Sequence, residues 1–173
     1  MNIIISTQAN RILREINFDF TTFTMDKFLN AVAQKKAREI ITLAWNMPTA
    51  MFGAWISDEE KPREYIFYRH NVSEAHQVHI QLHELSHFLF GHQTIKINSQ
   101  LITDAVVGKA EMPFELLPQR SPRVTSLEIE AETLTNLIQE LAIRNSKMSN
   151  LLMRGASLSE ERLASFVGKM SLP

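Results

Sequence analysis

Residues 83–87 read His-Glu-Leu-Ser-His, and that spacing constrains the local fold before it suggests any chemistry. Positions i and i+4 share one face of an α-helix, so a helix here turns the His83 and His87 imidazoles toward a single metal ion. Glu84 lies one residue round the same helix, where it can take a proton from a water at that metal. The pattern is the working half of a zinc hydrolase site, and it demands a helix to carry it.

The flanking sequence supplies one. Ser73 is an N-cap for a helix from Glu74 to Phe90, and Gly91 stands just past its end. Val78, Leu82, Leu85 and Leu89 recur along it, with Ile80, Phe88 and Phe90 on other faces, so apolar groups cover much of its perimeter. Such a helix belongs in a core. A solvated polar face is the competing reading of the pentapeptide, but it leaves a buried helix carrying the Glu84 charge at considerable cost.

A catalytic zinc takes three protein ligands and keeps one position open. Glu128 and Glu132 are the candidates for the third. They flank the apolar stripe Leu127, Ala131, Leu134, Ile138 and Leu141 of a second long helix, expected from about Val124 to Arg144. Their i,i+4 spacing suggests that one binds the metal and the other holds a ligand imidazole in its tautomer. Spacing alone leaves open which does which, and a solvated helix flank is the bland alternative. His76 and His79 continue the histidine series, so a second metal face is conceivable, but they read rather as a polar or partly buried lining. His92 follows the helix end, where an imidazolium suits the dipole; it can line the site or serve structurally, the latter at least as readily. Tyr65 and Tyr68 read as strand packing residues rather than catalytic ones.

The rest of the chain fits around these helices. Residues 6–16 suggest a short helix, and Met25 to Lys36 a firmer one capped by Thr24 or Asp26. Three β-branched and aromatic runs follow: Glu39 to Trp45, Met51 to Ile56 and Glu64 to Arg69. Their close spacing predicts a small antiparallel meander. Glu64–Arg69 is expected as an edge strand able to hold an extended peptide by backbone pairing. Prolines 113, 118 and 122 mark residues 92–123 as mixed loop, and Ser159–Met170 closes the chain as a short helix. The expected fold class is α+β: one domain over 1–173, mostly helical, with a core at about 25–144 and a helical tail from 145.

With 45% apolar and 21% charged residues, the composition is that of an ordinary globular domain. A net charge of −1 with no Lys/Arg cluster gives direct nucleic-acid binding no electrostatic support. The absence of cysteine excludes disulfides and thiolate zinc sites and suits a reducing cytoplasm. No basic leader and no membrane-length apolar run are apparent, so a soluble cytoplasmic protein is expected.

Taken together, His83-Glu-Leu-Ser-His-Phe-Leu-Phe-Gly-His92 and the later Glu128-Ile-Glu-Ala-Glu132 resemble the ImmA/IrrE family of metallo-endopeptidase-like proteins. That family joins an H-E-L-x-H-x-x-x-G-H helix to a later E-x-E-A helix, an arrangement of the gluzincin type. The resemblance spans roughly residues 25–140. It implies a zincin-like fold and a zinc-dependent endopeptidase with His83, His87 and Glu128 as ligands. Glu84 would be the general base and Glu132 would support a ligand. It also implies a separately encoded helix-turn-helix repressor as substrate or partner. Two departures stand out: Ser86 replaces the family's Gly or Ala, and Leu137–Arg144 runs on where a Leu-Met-Pro stretch is usual. A regulatory protein that binds metal and partner without cutting is the alternative function.

Overall fold

The computed structural model of the chain describes residues 3–117 and 126–146. It divides into two compact units. The first comprises residues 1–18 and 24–138 and contains every element discussed below up to residue 138. The second comprises 19–23 and 139–173. In that second unit Asp19 caps a short 3-10 turn at Phe20–Thr22 by accepting from the Thr21 amide, and the Phe20 and Phe23 rings stack.

Helix α1 spans Ile3–Ile16 and buries Ile5, Ala9, Ile12, Leu13 and Ile16 at helical spacing. It begins earlier than expected because the β-branched Ile3-Ile-Ile5 run, a poor helix former by itself, is held by burial of Ile5. Helix α2 spans Met25–Lys36, with the Thr24 hydroxyl accepting from the Lys27 amide as predicted. Four strands follow the order β1-β3-β2-β4 across one sheet: β1 is Glu39–Trp45, β2 Gly53–Asp58, β3 Arg63–Arg69 and β4 Lys96–Ile97.

The sheet is mixed rather than an antiparallel meander. Strand β3 pairs parallel with β1 and antiparallel with β2, while β4 runs parallel to β2. The physical reason lies in β3 itself. Tyr65, Ile66 and Phe67 are all buried, and a strand apolar on both faces belongs in the interior of a sheet. β3 therefore inserts between the two strands that precede it. Glu64–Arg69 is consequently no edge strand, and the expectation that it pairs with an extended peptide fails.

Helix α3 spans Glu74–Phe90, capped by Ser73 at one end and by left-handed Gly91 at the other, with the predicted bounds. It packs on β2 and β3. The opposite sheet face carries a cluster of Ala54, Ile56, Tyr65 and Phe67 against Ile102, Ala105 and Phe114. Ile102 and Ala105 come from α4, Ser99–Val106, which is capped by Asn98. Sequence reading placed this stretch in loop. Helix α5 runs over residues 126–146. Ala131, Leu134, Thr135 and Ile138 are its fully buried positions, whereas Leu127, expected in the stripe, is 45% exposed. The predicted helix at Ser159–Met170 lies outside the described residues. No helix among the described residues is long and apolar enough to cross a membrane.

Candidate metal centre

The second half of α3 is buried on most sides, including Glu84, Ser86 and His87. Two helices meet here. The Ser86 hydroxyl donates to the Leu82 carbonyl and lies 3.1 Å from the Thr135 hydroxyl of α5, which itself donates to the Ala131 carbonyl. Both side chains have no solvent exposure. Ser86 thus sits at the packing contact of α3 with α5, its hydroxyl satisfied within α3 and touching that of Thr135.

This junction sets Glu128 about two turns of α5 earlier, beside the histidines. Nε2 of His83 lies 3.1 Å from Nε2 of His87. The two Glu128 oxygens lie 3.2 Å from His83 Nε2 and 3.5 Å from His87 Nε2. Hydrogen bonding cannot satisfy this triangle. Each Nε2 offers one proton or one lone pair, so His83 cannot accept from His87 and donate to Glu128 at once. A cation at the shared point satisfies all three. Ligand atoms of a tetrahedral zinc stand about 3.3–3.5 Å apart, given bond lengths of roughly 2.0–2.2 Å. The donor set and its spacing therefore fit such an ion.

Glu132 approaches the other side of the His83 ring, 3.4 Å from Nδ1, and lies 3.6 Å from His79 Nε2. His79, His83 and Glu132 form a second group with metal-ligand spacing. It shares His83 with the first, but through the opposite nitrogen. A neutral imidazole that gives its Nε2 lone pair to a metal keeps a proton on Nδ1. In that state the proton would face Glu132. His76 instead touches the Phe52 ring.

Glu84 is only 1% exposed. Its side chain lies against β2 at Gly53, where a Cβ would come within 2.9 Å of a Glu84 carboxylate oxygen and 2.5 Å of Ile80 Cγ2. Gly53 is thus a close-approach glycine that lets the helix seat its carboxylate against the strand. Sequence reading did not single it out. Its only signal was an isolated glycine at the start of a β-branched run.

Two further residues meet here: His92, which sequence reading left between lining the site and a structural role, and Glu130. Gly91 adopts φ +73°, and the reversed chain brings the His92 ring back onto α3, with its amide donating to the His87 carbonyl. Nδ1 of His92 lies 2.8 Å from Nδ1 of His87, and its Nε2 lies 2.9 Å from a Glu130 oxygen. Burial pushes the His92 imidazole below its ordinary pKa, although Glu130 opposes the shift. Glu130 is the middle carboxylate of the Glu128–Glu132 run. Sequence reading did not single it out.

The tyrosines lie elsewhere. Tyr65 is buried on the face opposite α3, its hydroxyl donating to Asp58, and Tyr68 is partly exposed. A cleft of about 520 Å³ is lined by Arg38, Trp55, Glu64, Phe88 and Lys96 among others. None of the metal-set residues lines it. The chain matches no family model, no curated protein and no solved structure.

Proposed function

We propose that the chain is a zinc-dependent endopeptidase of the ImmA/IrrE type, with a zincin-like fold. The observation that carries this reading is the convergence of His83, His87 and Glu128 on one point, with Glu84 next in the chain to the first ligand. Two imidazoles and a carboxylate suit zinc among the common divalent ions. Zinc held there would polarise a scissile carbonyl and make a water acidic enough to lose a proton near neutrality. His83, His87 and Glu128 hold it, and Glu132 orients His83. Glu84 takes the proton from the attacking water as its oxygen bonds to the carbonyl carbon. Glu84 then returns a proton to the amine nitrogen as the C–N bond breaks.

The substrate strand finds a better partner in β2 than in β3. The Ser57 amide donates to the Ile95 carbonyl and the Thr94 hydroxyl donates to the Trp55 carbonyl, so these backbone groups point away from β3. By the alternation of the strand, Gly53 points the same way, and it stands beside Glu84. β4 pairs only with Ser57 and Asp58. An extended segment of a protein substrate would pair at Gly53, short of the Trp55 carbonyl that Thr94 occupies, bringing its carbonyl to Glu84. A helix-turn-helix repressor encoded separately is the proposed substrate, on the strength of the sequence resemblance.

Burial of Glu84 favours one second reading: a regulatory protein that binds metal and partner without cutting. One experiment separates the two. Glu84→Gln should retain stoichiometric zinc, measured by elemental analysis, while abolishing cleavage of a candidate repressor. Cleavage at the unmodified rate would refute the mechanism, and absence of zinc from the unmodified chain would refute the site.

A further inference from the structure

The contacts running outward from His87 end on a group that can only accept. A carboxylate donates no proton, so the 2.9 Å contact between Glu130 and His92 Nε2 places the His92 proton on Nε2. The neutral His92 ring then presents a bare lone pair at Nδ1. Across the 2.8 Å contact, that lone pair must meet a proton on Nδ1 of His87. With its proton on Nδ1, His87 has its remaining lone pair at Nε2, directed at His83 and Glu128. With His92 neutral, the constraint passes through both rings and leaves one tautomer at each.

We propose that Glu130 and His92 are positioning residues that fix His87 in the one tautomer able to bind a metal through Nε2. The inference deepens the metal reading above and rests on it. The site thereby has a matched pair of supports from α5, Glu132 behind His83 directly and Glu130 behind His87 through His92. His92 also carries the mechanical part of this role, because its side-chain burial of all but 6% holds the ring in place. The left-handed Gly91 cap is what delivers it there.

Two measurements test the proposal. Two-bond proton–nitrogen correlations on the full, unmodified chain, free of metal and above neutral pH, should find His92 protonated at Nε2 and His87 at Nδ1. Either proton on the opposite nitrogen overturns the proposal. The second is a zinc titration against a competing chelator. His92→Phe, which keeps a ring but no acceptor, should bind zinc about 10- to 100-fold more weakly. His92→Gln, whose amide oxygen can accept from His87, should recover most of that loss, as should Glu130→Gln relative to Glu130→Leu. Zinc affinity unchanged in His92→Phe overturns the proposal while leaving the metal reading intact. Failure of the unmodified chain to take up zinc overturns both.

Discussion

Replacing Gly53 with alanine isolates a single steric contact. Gly53 does not have a positive φ, so alanine meets no backbone strain there. The added methyl would stand 2.5 Å from Ile80 Cγ2 and 2.9 Å from Glu84 Cγ. Ordinary carbon contacts are about 3.5–4.0 Å, so Ile80 must give by roughly 1 Å. Ile80 is buried on α3 and cannot swing into solvent. Overpacking of this kind costs about 1–3 kcal/mol, and the stiffer unfolded chain returns about 0.4–1 kcal/mol. The net loss is roughly 1–2 kcal/mol. For a chain of this size that lowers Tm by about 2–8 °C. Thermal melts of Gly53→Ala, Ile80→Ala and the double variant should give a double-mutant coupling of about 0.5 kcal/mol or more, because the smaller Ile80→Ala side chain makes room for the methyl. A Gly53→Ala melt at or above that of the unmodified chain, or strictly additive variants, would refute the close-approach argument.

Other outcomes follow from the same structure. Glu128→Ala should abolish tight zinc binding, whereas Glu132→Ala should weaken it only about 10- to 100-fold; equal effects in a chelator titration would contradict the assigned roles. Thr135→Val should lower unfolding stability by about 0.5–1.5 kcal/mol, read by urea denaturation, through loss of its hydroxyl contacts with Ser86 and Ala131. Asp58 offers a pH test. Burial raises its carboxyl, but the Glu60 and Lys61 amides, the Tyr65 hydroxyl and the Arg63 charge outweigh it, leaving it below the ordinary value. Its stabilisation is therefore complete above the unfolded carboxyl value of about 3.9 and is lost as pH falls through the lower folded one. The stability gap between the unmodified chain and Asp58→Asn should shrink below about pH 4, and a gap constant from pH 6 to 3 would count against this.

The parts legible in the sequence were those governed by local rules. Ser73 and Gly91 bound α3 because caps act over one turn, and the spacing of His83 and His87 brings their rings together for the same reason. Glu128 and Glu132 were legible because i,i+4 partners share a face. The sheet order was not legible: a hairpin between β2 and β3 is local, but the insertion of β3 beside β1 depends on tertiary burial of Tyr65, Ile66 and Phe67. α4 went unseen because its eight residues carry only two buried positions, too few for a periodic signal. The pairing of His92 with Glu130 was hidden for another reason. Their meeting depends on the Gly91 reversal and on the α3–α5 packing, and neither leaves a spacing in the sequence.

The distance along the chain between His83 and Glu128 is 45 residues, and β4 and α4 both lie within that span. A metal bridging the two would work as a removable staple in a chain that has no cysteine with which to make a permanent one. Closing a long loop restricts the unfolded chain, and a ligand present at 100 times its dissociation constant adds about 2.7 kcal/mol to folding. Metal supply would then govern how long each copy survives proteolysis as well as what it can do, and a chelator would act on this chain as a reductant acts on a disulfide-bonded one.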